Sequence, residues 1–260
     1  MVVEMRQLYS ARELIWAWTS RTIRARYQQS ALGWLWAIIQ PAAAVAIFAV
    51  IFTLFVPVNT GDTPYIIFSY VAMVPWTFLA TSLPDMSNSI VGNMSLVTKI
   101  YFPREVLPTS SMLARLMDFG LAASLLVVLI LYYQVPIVFT AWMFLPIILG
   151  VQLMLVLGLG IGLSAANAFY RDVQSVLGLG IQLWFYASPI IYPVTMVPEN
   201  LRTLYFLNPM AGILESYRAV ILYGQIPGPY LIASAVESLI VLVIGYWFFK
   251  RVEFRIADIV

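Results

Sequence analysis

The sequence predicts an all-α integral membrane protein: six transmembrane helices, an N-terminal interfacial amphipathic helix, and short external re-entrant helices between spans five and six. Three observations carry that expectation. Of the 260 residues, 62% are hydrophobic and only 10% charged, where a soluble domain has about a quarter charged. Apolar runs long enough to cross a bilayer recur along the chain, separated by short polar turns. Basic residues gather in alternate turns, the pattern that fixes orientation in a membrane.

Composition also removes whole classes of chemistry. With no cysteine and no histidine, there is no disulfide framework, no thiol nucleophile, no structural zinc site and no Ser-His or Cys-His mechanism. A phosphate-binding loop needs glycine directly before its lysine. The two lysines, Lys99 and Lys250, follow Thr98 and Phe249, so ATP hydrolysis by that loop is excluded. A net charge of +2, with no basic run interleaved with stacking aromatics, gives no footprint for nucleic acid. Glu4, Arg6, Arg12, Glu13, Arg21, Arg24 and Arg26 interrupt the first thirty residues. No signal-type apolar core is present there, and the N-terminus is expected to be retained.

Taken in order, residues 11–27 place Ala11, Leu14, Ile15 and Trp18 at i, i+3, i+4 and i+7, with Arg12, Arg21 and Arg24 on other faces. Trp16, Trp18, Arg21, Arg24 and Arg26 suit a helix lying in the membrane interface; a soluble amphipathic helix is the alternative. The first span covers 31–56, broken near its start by Pro41, and the second about 64–90, kinked by Pro75 and Pro84. The polar end of that second span, 85–89, is too hydrophilic to face lipid.

A charged island follows at 95–108, where Leu96, Ile100, Val106 and Leu107 offer apolar contacts and Lys99, Arg104 and Glu105 are expected to stay solvated. It suits docking against a partner protein, or serves as an ordinary interfacial loop. Spans three and four cover about 109–133 and 138–170, the latter long for one crossing. A fifth begins at 173 and is interrupted by the Ser188, Pro189 and Pro193 stretch. Between 193 and 229, helical patches at 200–206 and 210–222 are too short to cross and read as re-entrant or interfacial. The sixth span covers 230–249.

With both ends on one side, that side holds Arg6, Arg12, Arg21, Arg24, Arg26, Lys99, Arg104, Arg171, Lys250, Arg251 and Arg255, while the other holds Arg202 and Arg218. The first set is therefore expected in the cytoplasm. Among ionisable groups at depth, Arg115 with Asp118 and Glu215 with Arg218 stand three apart and are expected to pair, in preference to touching substrate. Glu237 has no obvious local partner. The densest aromatic sets are Trp34, Trp36, Phe48, Phe52 and Phe55 in the first span and Trp184, Phe185, Tyr186 and Tyr192 at the fifth. Flat rings meet the C–H faces of sugars with little demand on register, as a sliding glycan requires. An interfacial aromatic belt accounts for part of the same residues.

Several ordered motifs carry a family likeness: Arg24-Ala25-Arg26-Tyr27, Ser30-Ala31-Leu32-Gly33-Trp34-Leu35-Trp36, Gln40-Pro41, Lys99-Ile100-Tyr101-Phe102-Pro103-Arg104-Glu105-Val106-Leu107-Pro108, Arg171-Asp172-Val173, Ser188-Pro189-Ile190-Ile191-Tyr192-Pro193 and Leu207-Asn208-Pro209-Met210. Over nearly its whole length the chain resembles the permease subunit of polysaccharide ABC exporters, most closely the O-antigen permeases, with capsule and teichoic-acid permeases related.

The resemblance implies a homodimer in the inner membrane with two copies of a separate ABC ATPase, which binds ATP and Mg. This chain then has no catalytic or metal site, and a lipid-linked polysaccharide is the substrate. The family's coupling helix falls on 94–101, its contacts on Leu96, Lys99, Ile100, Tyr101 and Arg104, its interfacial helix on 11–27 and its external gate helices on 198–223. The glycan channel falls on Trp34, Trp36, Phe48, Phe52, Trp184, Phe185, Tyr186 and Tyr192. A type-2 exporter for lipids or drugs shares the topology. A membrane-embedded glycosyltransferase would need acidic pairs or a metal cluster on an aqueous loop, and the cytoplasmic loops are too short to build one.

Overall fold

The computed structural model describes residues 11–28, 30–100 and 102–256, and all regular structure among them is helical. The first helix, α1, is Arg12–Tyr27. A turn follows in which Gly33 takes φ +50° and donates its N–H to the Ser30 hydroxyl at 3.1 Å, a backbone setting that favours glycine. A 3₁₀ turn, Gly33–Leu35, leads into α2, Trp36–Val50, which ends in the wider π turn Ile51–Phe55.

Pro41 does not break this span, contrary to the sequence expectation. It lies inside α2 with its ring buried. Its fixed φ suits a helix, and only one backbone hydrogen bond is forgone.

The axis of the bundle is α3, Tyr65–Asn88. Within the chain 78% of its most apolar stretch is buried, against 17% for Gly33–Phe55 and 22% for Val106–Tyr132. Several other helices therefore pack around α3, and side-chain hydrogen bonds hold them there, where no water competes. Tyr70 Oη donates to the Ala122 carbonyl at 3.0 Å, Gln152 Nε2 to the Pro75 carbonyl at 2.7 Å, and Asn167 Nδ2 to the Ser87 carbonyl at 3.1 Å. Within the polar 85–89 stretch, Ser87 and Ser89 are buried and Asp85 half-buried, while Asn88 is exposed.

After the short α4, Met94–Val97, comes α5, Val106–Tyr132. The stretch expected as one long fourth span is two helices, α6 (Phe139–Trp142) and α7 (Leu145–Phe169). Next stands α8, Val173–Tyr186, whose 14 residues fall short of the roughly 20 needed for a crossing. The break at 188–193 separates it from α9 (Glu199–Tyr205), α10 (Pro209–Ile221) and the long α11, Tyr230–Ile256.

Among the described residues, five helical stretches are long and apolar enough to cross a membrane: Gly33–Phe55, Tyr65–Asn88, Val106–Tyr132, Phe139–Phe169 and Tyr230–Glu253. The most extensive pairing joins α7 and α11, and glycines bring the two backbones together. A Cβ on Gly245 would lie 2.0 Å from the Gly158 carbonyl oxygen, and one on Gly158 would lie 2.5 Å from Leu242 Cα. Gly158 and Gly162 lie four apart on one face of α7, the small-residue spacing that permits such an approach.

Candidate functional site

The island between α3 and α5 is a compact peg. Beyond α4 the chain makes one further turn, with Ile100 N–H donating to the Leu96 carbonyl at 3.0 Å. Val97 is buried and Leu96 half-buried, while Lys99 and Ile100 are exposed, Ile100 at 58%. Tyr101 lies outside the described residues.

Glu105 is not solvated and Arg104 is only partly so, which corrects the sequence expectation. Glu105 is 1% exposed and forms an ion pair with Lys250 of α11, and Arg104 donates to the Glu253 carbonyl. A carboxylate at the start of α5 is favoured by the helix dipole, and its cation comes from the far end of the sequence. The island is thus tied to the last helix.

Beside it, four charges close into a lattice. Arg26 Nη2 meets Asp85 Oδ2 at 2.6 Å and Arg26 Nη1 meets Asp118 Oδ2 at 2.8 Å. Arg115 does the same from α5, reaching Asp85 Oδ2 at 2.7 Å and Asp118 Oδ2 at 3.1 Å. Two guanidinium forks and two carboxylates neutralise one another in a half-buried setting, the arrangement in which arginine exceeds lysine.

The Arg115 and Asp118 pairing was legible from the sequence; the recruitment of Arg26 and Asp85 was not. The lattice fastens α1 to α3 and α5. On the rest of α1, Trp16 is 71% exposed, Arg24 is exposed, and the Arg21 guanidinium lies 4.6 Å over the Trp18 ring.

Tyr27 donates to the second Asp118 oxygen. Burial first, and then Asp118, push the Tyr27 hydroxyl from its ordinary 10.0 up to about 12. Because the folded value is the higher one, the stability this contact contributes is fully present below pH 10.0 and lost as pH rises through about 12. Thermal midpoints of the wild type and Tyr27→Phe, measured against pH, should differ by a constant amount below that window and converge within it.

At the opposite end of the bundle, rings from α2, α3 and α8 form a lane. Phe185 stacks on Phe48 at 5.8 Å and meets Trp76 edge-on at 5.8 Å, and Tyr186 stands 5.3 Å from it. Phe48 leads to Phe52 at 6.2 Å, and Phe52 to Tyr65 at 5.7 Å. Trp184 packs on Trp76 at 6.0 Å and donates its N–H to Asn208 Oδ1 at 2.7 Å. Such offset and edge contacts suit the ring quadrupole.

Tyr192 joins through its hydroxyl, 3.0 Å from both the Tyr186 carbonyl and the Tyr205 hydroxyl. Trp34 and Trp36 stand apart from the lane as exposed residues at the start of the span. Trp76 and Tyr65 went unnoticed because nothing in the sequence marks α3 as the neighbour of both aromatic sets, and Asn208 stood out as part of a turn motif, not as a partner of Trp184.

The break after α8 is held from three directions. Asn208 caps α10 by accepting from Met210 N–H at 3.1 Å and donates to the Ser188 hydroxyl at 2.9 Å. Tyr65 Oη donates to the Ile191 carbonyl at 2.8 Å, and the fully buried Arg218 donates to the Ile190 carbonyl at 2.8 Å. The Arg218 guanidinium also lies 3.8 Å over the Phe68 ring and 3.7 Å from Glu215, its expected partner. Glu237 Oε2 is buried and makes no hydrogen bond among the described residues. On α8, Val176, Leu179, Leu183 and Tyr186 form an exposed apolar stripe.

Residues 13–222, from α1 through the end of α10, match the family described as ABC-2 type transporter. The chain belongs to the ABC-2 type transporter family. As an ABC-2 transporter, it is 33% identical over 248 residues to the O-antigen export system permease protein RfbA of Myxococcus xanthus, covering 93% of each chain. A second such protein, from Klebsiella pneumoniae, is 30% identical over 242 residues, covering 93% of this chain and 92% of the relative. The polysialic acid transport protein KpsM of Escherichia coli is more distant, at 26% over 238 residues and coverages of 90% and 91%. The ABC-2 region contains the peg, the charge lattice and the aromatic lane together.

Proposed function

We propose that this chain is the membrane subunit of an ATP-driven exporter that moves a lipid-linked polysaccharide of O-antigen type outward across the inner membrane. The observation that carries the reading is the lane of Phe48, Phe52, Phe185, Tyr186 and Tyr192 at the edge of the chain, in a family whose relatives include O-antigen export permeases. Aromatic faces hold successive sugars without fixing their register, so the glycan can slide. A homodimer suits the apolar stripe of α8, which one chain leaves uncovered, and would enclose the lane between two copies. In that assembly α8 and the 188–193 break together supply the sixth crossing, and α9 and α10 act as external gate helices.

An ABC ATPase, present in two copies and binding ATP and Mg, docks on the cytoplasmic peg. Lys99 and Ile100 form its exposed contact beside the half-buried Leu96, and Arg104 braces it against α11. Both termini lie in the cytoplasm and α1 lies along the membrane surface. The work of this chain is to bias a path between closed and open states, with no bond made or broken on it. Capsular polysaccharide is the second reading, favoured by the KpsM likeness.

The test is reconstitution with the ATPase. Glycan-stimulated ATP turnover should appear in the complex and fall about tenfold, equivalent to about 1.4 kcal/mol of lost glycan contact, in Phe185→Ala. Because the chain has no cysteine, Lys99→Cys provides a unique thiol that should cross-link to the ATPase. Turnover by the isolated chain, or glycosyl transfer without ATP, would reject the reading.

A further inference from the structure

Where the aromatic lane ends, at the opposite end of the bundle from the charge lattice, a cavity of about 990 Å³ opens. It begins at Pro64, next to Tyr65 of the lane, and at Pro193, next to Tyr192. Its rim is stiff. Pro57 and Pro136 join those two prolines around the opening, and proline fixes φ. The 57–64 loop is tied internally, with Thr60 Oγ1 donating to the Thr63 carbonyl at 2.7 Å and Gly61 N–H to Asn59 Oδ1 at 2.9 Å.

On the facing side Gln134 adopts φ +53°, the one positive φ at a non-glycine among the described residues. Strain of this kind persists where surrounding structure over-determines it, and it gathers at binding sites.

The lining chemistry is specific. Asp62, Tyr133, Gln134, Thr195 and Tyr223 face the cavity, and their side chains make no hydrogen bond to any other described residue. They offer hydroxyl, amide and carboxylate groups together with two flat rings. Among the described residues no lysine or arginine lines the cavity, so it offers none of the cations that a phosphate or pyrophosphate requires. Uncommitted donors and acceptors of both kinds, aromatic faces and a single carboxylate match a neutral, hydroxyl-rich ligand.

We propose that this cavity is a carbohydrate-binding site that receives sugar units as they leave the aromatic lane. The proposal rests on the exporter reading for the direction of travel, while sugar binding itself needs no transport. Tyr133 and Tyr223 supply the ring faces, and Asp62 and Gln134 take the hydroxyls. The phosphate end of the substrate does not bind here.

Saturation-transfer difference NMR on the full chain in lipid nanodiscs tests it, with linear oligosaccharides of mannose, galactose, rhamnose and N-acetylglucosamine as ligands. Wild type should transfer saturation to the ring protons of at least one of them. The double variant Tyr133→Ala and Tyr223→Ala should lose about tenfold of that signal, as loss of about 1.4 kcal/mol of contact requires. Thr195→Trp, which plugs an exposed part of the wall, should lose it as well and guards against misfolding of the double variant. Inorganic pyrophosphate should not compete.

A signal abolished by Phe185→Ala but unchanged in both cavity variants would overturn the cavity and leave the lane standing. No signal from any oligosaccharide, or competition by pyrophosphate, would also overturn it. Failure of the exporter reading shows separately, as absence of glycan-stimulated ATP turnover.

Discussion

Alanine at Gly245 is expected to unfold the protein at a markedly lower temperature, by the largest margin of any single methyl added to a helix here. The new Cβ would lie 2.0 Å from the Gly158 carbonyl oxygen and 2.9 Å from its carbonyl carbon. Overpacking costs about 1–3 kcal/mol where flexible side chains give way. Here the obstacle is backbone in the middle of α7, so relief requires separating the two helices along their whole contact, and the cost lies at the top of that range or above it.

Gly120 in α5 is the matched control, since a Cβ there meets nothing within 4 Å. Gly120→Ala should be neutral or stabilising, because alanine exceeds glycine by up to about 1 kcal/mol in a helix. Thermal unfolding of both variants in the same detergent decides the matter: equal midpoints would mean that the helices are not in backbone contact.

The second large effect is expected at Asp118, whose side chain is 12% exposed and accepts from Arg26, Arg115 and Tyr27. Asp118→Ala leaves two guanidinium groups sharing Asp85 alone. Removing one partner of a buried ion pair costs about 3–5 kcal/mol, and the partial exposure of these groups places the loss near 3. The damage should be local before it is global: α1 should detach, and trypsin should cut at Arg21 and Arg24 at temperatures where the wild type resists.

Adding Arg26→Met to Asp118→Ala should cost less than the sum of the two single changes, because Arg115 and Asp85 then remain as a matched pair. Strict additivity would show that the four charges do not act as one unit.

These sites mark the boundary of what the sequence discloses. Local pattern was enough for Arg115 with Asp118 and for Glu215 with Arg218, because three residues along a helix is a fixed distance. It was enough too for the two short helices Glu199–Tyr205 and Pro209–Ile221, where Pro198 and the Asn208-Pro209 cap announce each start.

Partners distant in the chain were hidden. Glu105 looked solvated because it shares a short charged island with Lys99 and Arg104, while Lys250 neutralises it from α11. Arg26 read as one basic residue among several on an interfacial helix, yet it reaches two carboxylates from different helices. Pro41 read as a break because interior proline disfavours helices in water, and in α2 the helix runs on around it. Among the aromatics, the lane was half visible: local aromatic density marked Phe48, Phe52 and Phe185, and only the central position of α3 explains why Trp76 meets Phe185 and Tyr65 meets Phe52.

The glycine contact between α7 and α11 has a mechanical corollary. Backbones that interlock at Gly158 and Gly245 cannot shear past one another, so these two helices form a fixed post. Any opening of the lane is therefore expected to fall to α2 and α8, which adjoin irregular joints, the π turn Ile51–Phe55 and the 188–193 break. A swing of either lever about its joint changes the spacing of the rings while the post, and the peg braced to it through Glu105 and Lys250, keeps its shape.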